Sequence, residues 1–496
     1  MTPIDARMDP LRVMLLGIGV LAAAALGGGP LAAQTGKVFV VQTNSAGDSV
    51  MLVDPATDTI VAEIPDAEVV HGAAVAPDGS RFYLSNESTQ TLDIVDVKTL
   101  RIVKKIPLTG RPNNVAIRRD GRRVYVAIQM AQGGVDVIDT VAQEKTRFIR
   151  VLGGVHNTFI TPDSRYVVAG STGGSVATVI DTQTEQPVWS IHFEGGVRPL
   201  CFETNADGST RRMFVQITNL HGFAIVDWAT RREVGRITLP ELPPGQRNSE
   251  GIQGAPAHGI LIAPDGKTLW STSKFNSAVY AYSMPDLTYL GEVKVGKVPD
   301  WLTFTTDSRK LYVANAHDNT VSIVDVAARR EITTIRVGQV PKRNITAVLP
   351  AVPYAWPAPS PAARPASPAQ PAVPRAAAAG SAATLDYETF RTTVQPILMS
   401  PRKGNARCTA CHASGGGNAY LEPLAPGATA YTDEQTRRNF ERVRRLVVPG
   451  EPLESVLLVN PLAEEAGGSH WHGGGKHWQS QNDPEWRTLA AWVAAN

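Results

Sequence analysis

Leu311-Tyr312-Val313-Ala314-Asn315, followed after three residues by Asn319-Thr320-Val321-Ser322-Ile323-Val324-Asp325 and then by Glu331 to Gly338, is the clearest copy of a unit that fills most of this chain. Short runs of β-branched and aromatic residues broken by turn formers read as successive strands. The closing pair of the second run recurs at Val53-Asp54, Val95-Asp96, Ile138-Asp139, Ile180-Asp181, Val226-Asp227 and Tyr282-Ser283, in steps of 42, 43, 42, 46, 56 and 42 residues. Turn signals interleave with this series at Pro77-Asp78-Gly79, Asp120-Gly121, Pro162-Asp163-Ser164, Asp207-Gly208, Pro264-Asp265-Gly266 and Asp307-Ser308. Asp-Gly between β-rich runs predicts tight hairpins. Each unit therefore reads as a four-stranded meander of propeller-blade size. The region opens at Val38-Phe39-Val40-Val41, which matches a second strand, and ends at Asn344-Ile345-Thr346-Ala347-Val348-Leu349, which matches a first strand. The last strand is thus expected to complete the first blade and close a ring of seven.

The Leu311–Gly338 unit resembles the YVTN family of β-propeller repeats, and the resemblance extends from Lys37 to Pro350. It is loosest in the third, fourth and fifth units. Ser283 replaces the usual aspartate, and a long insertion separates Leu239 from Ala257.

Past residue 384 the pattern changes. Cys408-Thr409-Ala410-Cys411-His412 has the spacing of a covalent c-type haem attachment site. Each thiol adds to a haem vinyl group, and the histidine lies under the iron as proximal ligand. A redox C-x-x-C pair would want a βαβ context, and a zinc site another ligand pair. The one remaining cysteine, Cys201, reads as a small buried residue. Tyr387–Leu398, Asp433–Leu446 and Pro484–Ala495 read as helices, the last with an apolar stripe of Trp486, Leu489, Trp492 and Val493. This part resembles the small cytochrome c modules common in Planctomycetes and related bacteria. The matching pieces are Phe390…Pro396-Ile397-Leu398, the C-x-x-C-H run, Val448-Pro449-Gly450-Glu451-Pro452…Ser455, and His472-Gly473-Gly474-Gly475 before a Trp-rich terminal helix. No methionine follows His412, so a second imidazole is expected on the iron. His472 is the first choice, because its glycines permit close backbone approach and the related modules carry a histidine there. His477 and His470 follow, and five-coordinate iron is the remaining alternative.

The expected organisation is a signal peptide over 1–33, a propeller over 37–350, a Pro/Ala-rich spacer over 351–384 and a single-haem domain over 385–496. Arg7 and Arg12, the apolar run Val13–Leu26 and Ala32-Ala33 form the export signal. The mature chain is expected to have no membrane span and to be periplasmic or otherwise exported. The spacer is stiff and extended, and it leaves the two domains free to sit apart. With 48 basic and 46 acidic residues the formal charge is +2, which argues against nucleic acid as a partner. The fold class is an all-β seven-bladed propeller plus a small all-α cytochrome c domain.

Aligning the units on their turn aspartates places one polar residue per blade at the start of the innermost strand. These are His71, Asn113, His156, Arg198, His258, Asp300 and, nearest in the last unit, Lys342. They are expected to converge at one mouth of the channel, with His221, His317, Trp301 and the 239–257 insertion, including Glu250, around it. His71, His156, Arg198, His258 and Asp300 are the candidates for catalysis. The three histidines, in alternate units, are expected to lie too far apart to share one small ion. Propeller enzymes of three kinds use this face (copper-cluster reductases, haem-d reductases and quinone-cofactor dehydrogenases), a likeness of architecture only. A second metal or cofactor in the propeller and a purely water-filled polar channel both remain open. The chain reads as an exported haem electron-transfer protein. In the first version the propeller binds substrate, cofactor or partner within an oxidoreductase. In the second it is a non-catalytic platform carrying a tethered cytochrome shuttle. The electron partner is a redox protein or a small-molecule donor or acceptor.

Overall fold

The computed structural model describes residues 36–357, 359, 385–413, 419–425 and 428–495. The expected signal peptide and most of the expected spacer lie outside the described residues. Seven four-stranded antiparallel sheets form the propeller, and one of them joins Pro341–Pro350 to Gly36–Asn44, Val50–Asp54 and Thr59–Ile64. The C-terminal strand thus supplies the innermost strand of the N-terminal blade. Eight register pairs from Gly36↔Pro350 to Asn44↔Pro341 hold the ring shut.

The recurring aspartates are hairpin devices. Asp78, Asp120, Asp163, Asp207, Asp265 and Asp307 each accept a backbone N–H two residues on, closing an Asx turn. The residue after each has positive φ, and Ser164 and Ser308 adopt the same conformation as the glycines elsewhere. The strand-ending aspartates act likewise at the next turn: Asp54, Asp96, Asp139, Asp181, Asp227 and Asp325 all accept backbone N–H groups. Where Ser283 replaces aspartate, its hydroxyl accepts the Thr288 N–H instead. Between blades, buried Val, Ile and aromatic side chains form successive clusters, such as Phe214, Phe223, Leu269 and Tyr280. Cys201 is buried in that cluster.

The C-terminal module has short helices around one core that includes Phe390, Val394, Leu398, Trp478, Trp486, Leu489, Trp492 and Val493. The Trp stripe expected of the last helix is buried over Pro484–Ala494. The first helix is not uniform: Phe390–Val394 widens into a π turn before Gln395–Met399. Pro396 has no N–H to give to the ladder, so the helix locally opens there. Among the described residues no helix is long and apolar enough to cross a membrane.

The two parts are packed together, although the spacer is long enough to leave them free to sit apart. The Ala406 N–H donates to the Ala46 carbonyl at 2.8 Å and the Gly404 N–H to Asp48 at 2.9 Å. Arg407 clamps Glu68 with its guanidinium at 2.6 Å and its backbone N–H at 2.6 Å. Even the start of the spacer is fixed: Trp356 lies on Phe39 and its indole N–H donates to the Val97 carbonyl.

Candidate functional site

The seven residues aligned from sequence all occupy the second position of an innermost strand. At that point each ladder is interrupted by a register shift. A bulge frees a residue from the ladder and re-aims its side chain, so the blades present His71, Asn113, His156, Arg198, His258, Asp300 and Lys342 at one mouth. The imidazoles form a row: His71 to His156 is 6.2 Å between ring centres, and His156 to His258 is 6.0 Å. They are neighbours across the channel rather than distant, because the blades converge there. Among the described residues, however, no group of three or more His, Cys, Asp or Glu is arranged to hold a metal ion.

Hydrogen bonds fix how each ring acts. The Asn157 amide nitrogen lies 2.5 Å from His156 Nδ1, and its oxygen accepts from Arg343. That orientation places the His156 proton on Nε2. His258 Nδ1 donates to the Asp300 carbonyl at 2.9 Å. Burial pushes the His156 and His258 imidazoles far below the ordinary histidine value, so both are neutral. His71 faces Glu87 at 2.7 Å, yet burial still lowers its imidazole. Burial would raise the Glu87 carboxyl, but His71 and Arg111 outweigh it and hold it down at about 2. Asp300 pairs with Lys274 and, at 3.7 Å, with Lys342. Trp301 borders the mouth, with the Arg343 guanidinium stacked 3.8 Å over its ring. Gln253 of the insertion accepts from Arg198 and Lys342, while Glu250 remains exposed. His221 is buried against Phe275 and Ser273.

Glu87, Lys274 and Arg343 are the members that the alignment missed. Glu87 and Lys274 share a slot immediately after a second strand, and the same register would have found them. Arg343 follows Lys342 where no turn aspartate fixes the count.

The C-terminal module covers part of this mouth. Val69, Val298 and Val340 have positive φ, a conformation strained for β-branched residues. Val69 packs on Ala406 and Ala410, with Cys411 alongside; Val298 and Val340 pack on Trp471. Trp471 also stacks on His317 at 5.5 Å, and His470 lies 4.7 Å from that ring while bonding Glu464. His470, the third choice for the iron, is thus engaged at the seam.

Within the module the His412 and His472 rings lie 6.1 Å apart with an angle of 8° between their planes. His472 Nδ1 donates to the Gly475 carbonyl at 2.7 Å, which leaves Nε2 as a lone-pair donor. A Cβ on Gly474 would stand 2.9 Å from the His472 ring, so that glycine makes room for the imidazole itself. His477 bonds the Gly474 carbonyl through Nε2. Burial lowers His472 to about 4 and His477 to about 3. Cys408 and Cys411 are free thiols on the helix that ends at His412. Tyr420 stacks on His412 at 4.3 Å, and Arg402, paired with Glu485, reaches 3.8 Å from Cys408 Sγ. Two free thiols and two facing imidazoles fit a covalent haem, whose porphyrin would supply the donors the protein lacks.

No family model and no curated protein matches this sequence. Among solved structures, hydrazine synthase of Kuenenia stuttgartiensis is similar with a TM-score of 0.51 at 22% identity, over 61% of this chain and 99% of that one. The periplasmic gluconolactonase PpgL of Pseudomonas aeruginosa is similar with a TM-score of 0.52 at 17% identity, over 63% of this chain and all of that one. At such identities the likeness is one of fold, and it agrees with the seven-bladed propeller.

Proposed function

We propose that this chain is an exported single-haem electron-transfer protein, an oxidoreductase component whose propeller mouth takes a substrate or redox partner. The observation that carries the proposal is the near-parallel facing of His412 and His472 beside two free thiols on the helical turn that ends at His412. Cys408 and Cys411 would anchor the macrocycle, and His412 and His472 would hold the iron. Bound there, a haem c supplies one-electron chemistry at a potential lower than methionine ligation would give. Tyr420 covers one face of His412, and the Gly475 carbonyl keeps His472 in the ligating tautomer. The N-terminal Arg7, Arg12 and apolar run support export.

Docking of the module favours a relay over a free shuttle. Cys411 packs beside Val69, and Arg111, which pairs with Glu87, carries the contact on to His71. A module held by Glu68, Asp48 and Gln339 is poised over the mouth rather than roaming. The test is maturation in a host competent for haem attachment. The expected result is the mass of one haem, retained through denaturation and acid–acetone extraction. Pigment released by that extraction would overturn the proposal.

A further inference from the structure

Charge at the propeller mouth is unbalanced. Arg198, Lys274, Lys342 and Arg343 converge there, and Asp300 is the carboxylate among them. Glu87 is already neutralised by Arg111 and hydrogen-bonded to His71. The imidazoles contribute no charge. Lys274, lowered by burial to about 8, and Arg343, lowered by burial to about 9, both remain protonated at neutral pH. Burying unpaired cations is costly unless an anion compensates them.

Arg343 is the sharpest case. It is 3% exposed, and the carboxylate that acts on it, Asp300, is already paired with Lys274. Trp301 covers one face of the guanidinium, and Nη2 is bound to Asn157 Oδ1. Its Nε is buried with no hydrogen-bond acceptor among the described residues. A planar guanidinium edge with an unused donor suits a carboxylate-type oxyanion, which it can meet in its own plane. His156, bound through Nδ1 to Asn157, adds a neutral Nε2–H donor. Lys342 and Arg198, both tethered to Gln253, supply further positive charge at the mouth.

We propose that the mouth of the propeller is a binding site for a small anion with carboxylate-type oxygens, held by Arg343, Lys342 and Arg198 with His156 as a neutral donor. This names the substrate class of the face assigned above and rests on that assignment for its role, whereas occupancy is measured independently of the haem. The surplus of cations over carboxylates selects dianions over monoanions.

Calorimetric titration of the full-length mature protein at pH 7 and low ionic strength, with oxalate, formate and chloride, tests the inference. Oxalate is expected to bind at least tenfold more tightly than chloride, with formate between them. Arg343→Gln and Lys342→Gln are each expected to weaken oxalate at least tenfold, while Lys105→Gln, on an outer strand, leaves it unchanged. Should Arg343→Gln fail to fold, Lys342→Gln at the rim carries the test, with its melting temperature as control. Oxalate and formate binding no better than chloride, or a folded Lys342→Gln protein with unchanged oxalate affinity, overturns the site. Binding that leaves the haem's redox state untouched supports the anion site and counts against the relay.

Discussion

The propeller repeats one four-stranded unit seven times, whereas the C-terminal module occurs once and contains short helices and long loops. Both must bury apolar surface, but they differ in how the sequence encodes it. In the propeller the same turn and the same strand-ending aspartate recur, so each copy checks the others. In the module, specificity lies in a few positions: Gly474 beside the His472 ring, the Trp478 and Trp492 side chains, and the C-x-x-C-H helix. A ring of packed blades is stabilised by its own interfaces, while a small core gains from a bound group that fills it.

The largest contrast is expected from removing the two proposed haem anchors. Cys408→Ala with Cys411→Ala is expected to abolish covalent haem entirely and to loosen the module, leaving the propeller's cooperative melt in place. Absorbance of the denatured protein and circular dichroism would read the two parts separately. A propeller that melted together with the module would break the comparison.

Phe214→Ala, at 0% exposure between blades, is expected to cost about 3–5 kcal/mol. Denaturant unfolding should place that loss in the propeller transition and leave haem absorbance before the transition unchanged.

The pH response should also separate the regions. His156 and His258 are held neutral in the fold, whereas in the unfolded chain they take a proton near pH 6.5. His221, at about 4, behaves alike. The folded state therefore binds fewer protons, and stability present above pH 6.5 is lost as the pH falls from 6.5 toward 4. Each fully shifted histidine contributes up to about 1.4 kcal/mol per pH unit. His156→Asn is expected to flatten the slope of stability against pH for the propeller transition, and an unchanged slope would contradict the buried neutral imidazole.

The smallest effect is at the seam. Glu68→Ala should weaken docking by about 1 kcal/mol, since the Arg407 side chain is 38% exposed and water screens the pair. Small-angle scattering should show partial release of the module. An unchanged profile would mean that Trp471 and the strained valines suffice.

Much of this was legible in the sequence because repetition supplies register. The turn aspartates located six of the seven bulged residues at the mouth, including Arg198 despite its two extra turn residues, and Lys342 was placed as the nearest polar residue in the last unit. Arg343 escaped because the final unit has no turn aspartate to count from, and Arg111 because it acts through Glu87 from a neighbouring loop. The docking of the module was hidden for another reason. A Pro/Ala-rich spacer says how far two domains can separate and nothing about what their surfaces prefer. Val69, Val298 and Val340 make those surfaces by adopting a backbone conformation that their residue type disfavours. The surroundings of His472 and His470 were likewise hidden, because they are set by residues distant in sequence, His412 and His317.

Low-temperature electron paramagnetic resonance of the ferric, haem-loaded protein, alongside His472→Ala, reads the proposed ligands of the iron. A low-spin bis-imidazole signal is expected, becoming high-spin in the variant. A high-spin wild-type signal, or a low-spin signal unaffected by the substitution, would contradict it.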